Sequence, residues 1–281
     1  MLGLSMSHKH CAVLITCYNR VSITLLCLEN LFKAELPLDV ILNVYLVDDK
    51  SPDHTGGIVK KQYPDINVIE GTGSLYWNRG MYLAWKTAAN AYDYDCYLWL
   101  NDDIILFPAA IKEMLFSSEK LNKMSIIVGS TCSQKNGEFT YGGYLLDKRK
   151  IFPDNTLQKC DIFCGNCVLI PGDVFHVLGN LDPFFHHAIG DLDYGFRARK
   201  AGVKCYVFEK YVGFCEMHET FPDWCLKEVP LVQRLRSLYS PLGNSQPYYY
   251  FRYELRNFGI HIALLHLLTI HLRLVFPQLW E

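Results

Sequence analysis

The chain has 281 residues, half of them hydrophobic, with 27 lysines and arginines against 29 aspartates and glutamates. That length holds one large α/β domain with or without an appendage, and the apolar share is enough for a substantial core. A formal net charge of −2 leaves no general basic footprint for nucleic acid, so no nucleic-acid partner is expected.

In chain order, residues 11 to 16 (Cys-Ala-Val-Leu-Ile-Thr) form a short apolar run of the kind that is buried as a parallel strand. Residues 21–33 follow with helical spacing that would bury Ile23, Leu26, Leu28 and Leu31. A second strand over 40–47 runs into Asp48-Asp49, and Pro52 stands where a helix can begin. A third strand is predicted over 66–69, a long helix over 75–92, a fourth strand over 97–100 ending at Asn101-Asp102-Asp103, and a fifth over 126–128. Beyond residue 130 the pattern loosens. Gly142-Gly143 marks a turn or a close backbone approach, 163–170 reads as a strand and 191–201 as a helix. From 221 onward the chain looks helical and aromatic, without a further strand.

Strands alternating with helices predict an α/β fold: a mostly parallel open sheet flanked by helices over residues 1–220, with a C-terminal helical extension over 221–281. Ligands of such sheets bind beyond the carboxyl ends of the strands. Thr16, Asp48, Asp49, Asp102 and Asp103 gather at those ends.

Eleven cysteines are scattered through apolar runs, and His8-Lys9-His10 precede the first of them with no apolar leader. Buried free thiols in a reducing, cytoplasmic setting are the expectation. Cys160, Cys164 and Cys167 have a spacing zinc can use, but no second pair accompanies them. The most apolar segment, 258–276, is interrupted by His261, His266, His271 and Arg273, whereas a bilayer span needs about 20 predominantly apolar residues. Histidines five apart fall on different faces of a helix, so they form no metal face. That leaves a helix packed on the body or in a homodimer, or one lying peripherally on the inner face of the cytoplasmic membrane.

Several nucleotide-binding classes fall away. No P-loop occurs. The first strand leads into Thr16-Cys-Tyr-Asn-Arg20 without the glycines of a dinucleotide-binding turn. In Asn101-Asp102-Asp103, adjacent carboxylates repel unless a cation or donors neutralise them. Hard divalent cations are held by one or two carboxylates plus substrate phosphates; a helix cap near Pro108 is the other reading. Asp191 and Asp193 open a helix, where negative charge is favoured in any case, and either could serve as a general base. His218 is a satisfied structural histidine or a metal ligand.

Taken together, Val13-Leu-Ile-Thr-Cys-Tyr-Asn-Arg20, Leu46-Val-Asp-Asp-Lys-Ser51 with Asp53, Trp77-Asn-Arg-Gly-Met81, Leu98-Trp-Leu-Asn-Asp-Asp103, Gly165-Asn166, Gly190-Asp-Leu-Asp-Tyr-Gly-Phe-Arg197 with Gly202, and His218 resemble an inverting family 2 glycosyltransferase of the GT-A (Rossmann-like) fold. The resemblance covers about residues 11–220. It implies a nucleotide-sugar part over about 11–130 and an acceptor and catalytic part over about 131–220.

By that resemblance, Thr16, Asp48 and Asp49 would hold a uracil or thymine base and its ribose, with Asn19 and Arg20 on the same donor side. Arg79 would approach the donor phosphates. Asp103 would bind Mn²⁺ or Mg²⁺, assisted by Asp102, with His218 a further ligand. Asp191 would be the base of a metal-dependent, inverting hexosyl transfer, while Trp77, Asp193 and Arg197 would shape the sugar and acceptor pocket. The family's metal motif is commonly Asp-x-Asp, and Asn101 replaces its first acid here.

Arg252 and Arg256, one turn apart among tyrosines, could grip the diphosphate of a lipid-linked saccharide acceptor or pair with Glu254 and its neighbours on a surface helix. The segment also resembles bacterial transferases that build O-antigen or capsule polysaccharide. A sugar nucleotidyltransferase and a catalytically silent nucleotide-sugar-binding scaffold are the alternatives. UDP-linked donors are the default, with dTDP-rhamnose next.

Overall fold

The computed structural model describes residues 8–217, 221–243 and 245–280. In order the elements are β1 (Lys9–Cys17), α1 (Val21–Lys33), β2 (Val40–Asp48), α2 (Thr55–Gln62), β3 (Asn67–Glu70), α3 (Tyr76–Ala91), β4 (Cys96–Leu100), β5 (Ile105–Leu106), α4 (Ala110–Lys120) and β6 (Ser125–Cys132). There follow β7 (Gly143–Tyr144), β8 (Gln158–Cys160), β9 (Ile162–Phe163), β10 (Cys167–Pro171), α5 (Gly172–Leu178), α6 (Gly190–Lys200), β11 (Lys204–Phe214), α7 (Leu231–Leu238), α8 (Pro247–Phe258) and α9 (Ile260–Val275).

Nine strands make one sheet in the order β3-β2-β1-β4-β10-β6-β11-β5, with β8 beside β11. β3, β2, β1 and β4 run parallel, as do β6 and β11. β10 is antiparallel to both β4 and β6, so the sheet is mixed at its centre. This inversion has a consequence for function. The carboxyl ends of β1, β2, β4, β6 and β11 all reach one edge, and β10 starts there, with Cys167 opposite Leu100. The turn ahead of β10 therefore joins the strand-end residues.

Each strand of a sheet covered on both faces feeds two cores by its alternation. Val13 and Ile15 of β1 pack with Leu28, Leu31, Val59 and Met114 from α1, α2 and α4. Ala12 and Leu14 pack on the other face with Met81, Trp85, Val174 and Tyr194 from α3, α5 and α6. Trp85, fully buried, touches Tyr97, Trp99, Phe175 and Tyr194. The extension joins this body through α8, where Tyr253 packs with Phe185, Ile189 and Phe196. Trp224, Leu238, Ile270 and Leu274 form a small core of its own.

Four expectations are corrected. α1 buries Thr24, Cys27, Leu28 and Leu31, while Ile23 and Leu26 lie 48% and 43% exposed; the buried stripe is rotated by one position. Pro52 does not open α2, because the Asp53 carboxylate accepts from Thr55 N and holds a turn ahead of the helix. The apolar run 163–170 is broken by a turn at 164–166 into β9 and β10, which belong to different sheets. Finally, β11 is an eleven-residue strand in a stretch where none is predicted. All eleven cysteines are free and nine are buried. Among the described residues no helix is long and apolar enough to cross a membrane.

Candidate active site

Acids at the strand-end edge fall into two kinds, separated by what occupies their lone pairs. At the end of β2 the Asp48 carboxylate accepts from the backbone N–H groups of Ser51 and Gly56 at 3.1 and 3.0 Å, and from the Ser51 hydroxyl. A Cβ at position 56 would sit 2.6 Å from Asp48 Oδ2, so glycine is required there. Asp49 accepts from Gly73 N, Leu75 N and Tyr76 N at 2.7, 2.7 and 3.1 Å. These two carboxylates build the loops that lead into α2 and α3. Thr16 is buried against Gly80 of α3. Asn19, exposed and in the left-handed region at φ 54°, donates its N–H to Ser51 Oγ.

At the end of β4 the arrangement differs. Asp102 is buried, accepts from Thr24 Oγ1 at 3.0 Å and faces the Arg20 guanidinium at 3.5 Å. Burial pushes its carboxyl up to about 7, against the pull of Arg20, and the neighbouring Asp103 adds to the rise. Asp103 is more open. One of its oxygens meets Arg20 at 3.2 Å and the other accepts from the Cys215 thiol at 3.6 Å. No helix uses this triplet as a cap, since β5 intervenes and α4 begins at Ala110 with Ala109 as its cap.

Asp191, the second residue of α6, is held from the turn before β10. Gly165 N donates to one carboxylate oxygen at 2.9 Å and Leu192 N to the other at 2.8 Å. Burial raises its pKa, partly offset by those two N–H groups. Gly165 has no room for a side chain, because a Cβ would collide with the Trp77 ring and press on Asp191. Trp77 in turn donates its Nε1 to Asn101 Oδ1 at 2.7 Å. Asn101 N donates to Asn166 O at 2.8 Å, and the Asn166 amide lies 3.9 Å from the Cys215 sulfur. An unbroken chain of contacts thus runs from Asp191 through Gly165, Asn166 and Cys215 to Asp103.

Backbone strain sits beside Asp191. Ile189 is buried with φ 78°, a region that costs a β-branched residue roughly 1–3 kcal/mol. Gly190 follows it against the Asn78 amide, whose Nδ2 donates to Asp182 O and Phe185 O at 2.8 Å each. Packing around Phe185, Phe196 and Tyr253 over-determines this kink and aims the start of α6 at the strand-end edge.

The remaining sequence-predicted residues lie elsewhere. Asp193 is fully buried; both its oxygens accept from Arg256 Nη1 at 2.9 Å, and Arg197 Nε lies at 3.3 Å. Arg256 also bonds Asp182 at 2.6 Å, while Arg197 donates to Leu178 O and Asn180 O at 2.9 and 2.8 Å. This ion network ties α8 to α6 at Asp193, two residues beyond Asp191. Arg252 and Arg256 therefore share no free basic face: Arg252 stacks 5.2 Å over the Phe184 ring, and Glu254 pairs with His266. Arg79 donates to Pro183 O at 2.8 Å and so braces the same 182–186 segment. His218 lies outside the described residues.

The fit to a divalent cation follows from this donor set. The Asn101 amide oxygen is occupied by Trp77 and Asp102 is turned to Thr24, so within the Asn101-Asp102-Asp103 triplet Asp103 is the carboxylate open to a hard cation. No group of three potential ligands exists among the described residues. A single carboxylate completed by substrate phosphate oxygens is a known way to hold Mg²⁺ or Mn²⁺, and the residues present fit that mode. Sequence reading missed Thr24 and Cys215, the latter because the strand that delivers it was missed.

Residues 12–179 match the family model described as glycosyl transferase family 2. Among solved structures, the crystal structure of TarS from S. aureus is similar in fold, with a TM-score of 0.54 and 15% sequence identity. The match covers 90% of this chain and 43% of that one, so this chain spans less than half the length of TarS. No curated protein matches.

Proposed function

The chain belongs to glycosyl transferase family 2, and we propose that it moves a sugar from a nucleoside-diphosphate sugar onto a saccharide hydroxyl with inversion, Asp191 acting as the base. The observation that carries this reading is the placement of Asp191: a desolvated carboxylate, each oxygen taking one N–H, joined through the 164–166 turn to the acid at the end of β4. A carboxylate offers about four lone-pair positions, so Asp191 keeps capacity for an acceptor hydroxyl.

In the proposed step the acceptor oxygen attacks the anomeric carbon as its proton passes to Asp191. The bond from that carbon to the diphosphate oxygen breaks on the opposite face, and the nucleoside diphosphate departs. Trp77 would form the wall beside the reacting sugar, and Gly165 keeps that wall close to the base. Arg20 stands at the same edge with positive charge that the departing diphosphate can share. Asp103 would hold Mn²⁺ or Mg²⁺, and the cation when bound supplies further charge neutralisation at the diphosphate. Donors with UDP or dTDP, and a lipid-linked acceptor in bacterial surface polysaccharide synthesis, complete the proposal.

A thermal-shift panel of UDP, dTDP, GDP and CDP, each with and without Mn²⁺, tests it. A ligand of the folded state adds about 2.7 kcal/mol at roughly a hundredfold excess over Kd. The expected result is a Mn²⁺-dependent shift with UDP or dTDP that Asp103→Ala abolishes. No shift with any of the four would contradict the donor reading.

A further inference from the structure

Among the described residues, one guanidinium supplies the counter-charge of both acids at the end of β4. Arg20 is the residue before α1, and its carbonyl accepts from Ile23 N and Thr24 N at 3.1 and 3.0 Å, which fixes where its side chain starts. Its Nε lies 3.5 Å from Asp102 Oδ2 and its Nη1 lies 3.2 Å from Asp103 Oδ2. The two acids differ in access. The Asp102 side chain is 5% exposed, and its Oδ2 is held by the hydroxyl of Thr24, fully buried in the first turn of α1. The Asp103 side chain is 23% exposed. Arg20 therefore has one end on a buried, fixed acid and the other on the acid that a cation can reach.

Each oxygen of Asp103 already has a neighbour, the Cys215 thiol on Oδ1 and Arg20 on Oδ2. A hard cation sits about 2.1 Å from a carboxylate oxygen, so on Asp103 it would share one carboxylate with the guanidinium, and the like charges repel. A diphosphate changes that balance. Its negative charge attracts both, and a guanidinium fork matches phosphate oxygens. The Arg20 side chain is 38% exposed, which leaves it room to turn. We propose that Arg20 couples cation binding to diphosphate binding. Without nucleotide sugar it occupies Asp103 and keeps divalent cations off. When the diphosphate arrives, Nε stays on Asp102 while Nη1 leaves Asp103 for a phosphate oxygen, and Asp103 opens to the cation. Thr24 and Asp102 are then positioning residues that hold the pivot without touching the nucleotide sugar. This role rests on Asp103 as the cation-binding acid of the reading above, and adds to it a linkage between the two ligands and the residue that enforces it.

The test is Mn²⁺ binding by the full chain, read as loss of the free-ion electron paramagnetic resonance signal, alone and with UDP or dTDP. Mn²⁺ held by the nucleotide itself is subtracted from a blank without the chain. The parent should bind Mn²⁺ at least about tenfold more tightly with one of the two nucleotides than alone. Arg20→Gln should bind Mn²⁺ alone at least about tenfold more tightly than the parent, and the gain from the nucleotide should shrink. Arg20→Gln combined with Asp102→Asn removes the guanidinium together with its buried partner, so it leaves no unpaired buried acid and the same net charge. It should also bind Mn²⁺ alone more tightly than the parent, by at least about threefold, and it decides the matter if the single variant melts early. Variants that bind Mn²⁺ alone no better than the parent, with the parent's nucleotide gain intact, would overturn the proposal and leave the cation reading of Asp103 standing. A parent whose Mn²⁺ affinity neither nucleotide raises would also overturn it. Absence of Mn²⁺ binding in parent and variants alike, with or without nucleotide, would defeat the cation reading and this role together.

Discussion

The aspartates that mark the strand-end edge on either side of β1 differ in what their oxygens already do. Asp48 and Asp49 at the end of β2 are filled by backbone N–H groups and hydroxyls of the loops that follow. Asp103 and Asp191, on the other side of β1, are held by few donors and keep lone pairs open. The first pair shapes the loops that lead into α2 and α3, and the second pair keeps capacity for a ligand at the edge. Carboxylates on one sheet edge therefore separate by the accounting of their hydrogen bonds, which neither residue type nor position along a strand reveals.

Substitutions can break this comparison, beginning with the greatest effect. Asp191→Asn keeps the shape and removes the base, so transfer should fall by about 10²–10⁴, while the melting temperature changes little, because removal of a desolvated charge offsets the one N–H that the amide nitrogen leaves without an acceptor. Asp103→Ala should abolish the Mn²⁺-dependent diphosphate shift with little change in the unliganded melting curve. Arg256→Ala strips the Asp193 carboxylate of its main partner and leaves Arg197 at 3.3 Å. It should lower stability by about 2–3 kcal/mol in urea denaturation, less than a fully orphaned buried charge. Asp49→Ala leaves three N–H groups without an acceptor and should cost about 2–3 kcal/mol, visible as a lower melting temperature with or without ligand. If Asp49→Ala instead left stability intact and removed only nucleotide binding, the division between shaping and acting acids would fail.

A pH profile sharpens the same point. The Asp191 pKa is raised by burial, and the base works only when ionised. Turnover should therefore fall as pH drops through an apparent pKa above that of a free aspartate, about 3.9, and donor binding should not follow the same limb.

Much of the fold was legible in the sequence because its signals were local. The apolar runs of β1 and β4 and the helical spacing of α3 are what buried parallel strands and an amphipathic helix require. β11 escaped because Glu209-Lys210 interrupts its apolar run. Those residues lie where the pairing with β6 shifts register, and they reach Lys120 and Glu113 of α4. With that strand went Cys215, the contact that links Asp103 to the 164–166 turn. Gly165-Asn166 did carry a turn signal, but the apolar residues on both sides read as one strand. The placement of Asp191 was approachable by resemblance alone. That Asp193, two residues on, is a buried partner of Arg256 is a tertiary fact, since 63 residues separate the pair.

The most direct measurement of the central claim is a paired assay on Asp191→Asn: nucleoside-diphosphate binding by thermal shift, and sugar release or transfer from the matching donor. The account predicts an undiminished shift with turnover reduced by about a hundredfold or more. Turnover equal to the parent would remove Asp191 from the role of base and contradict the account.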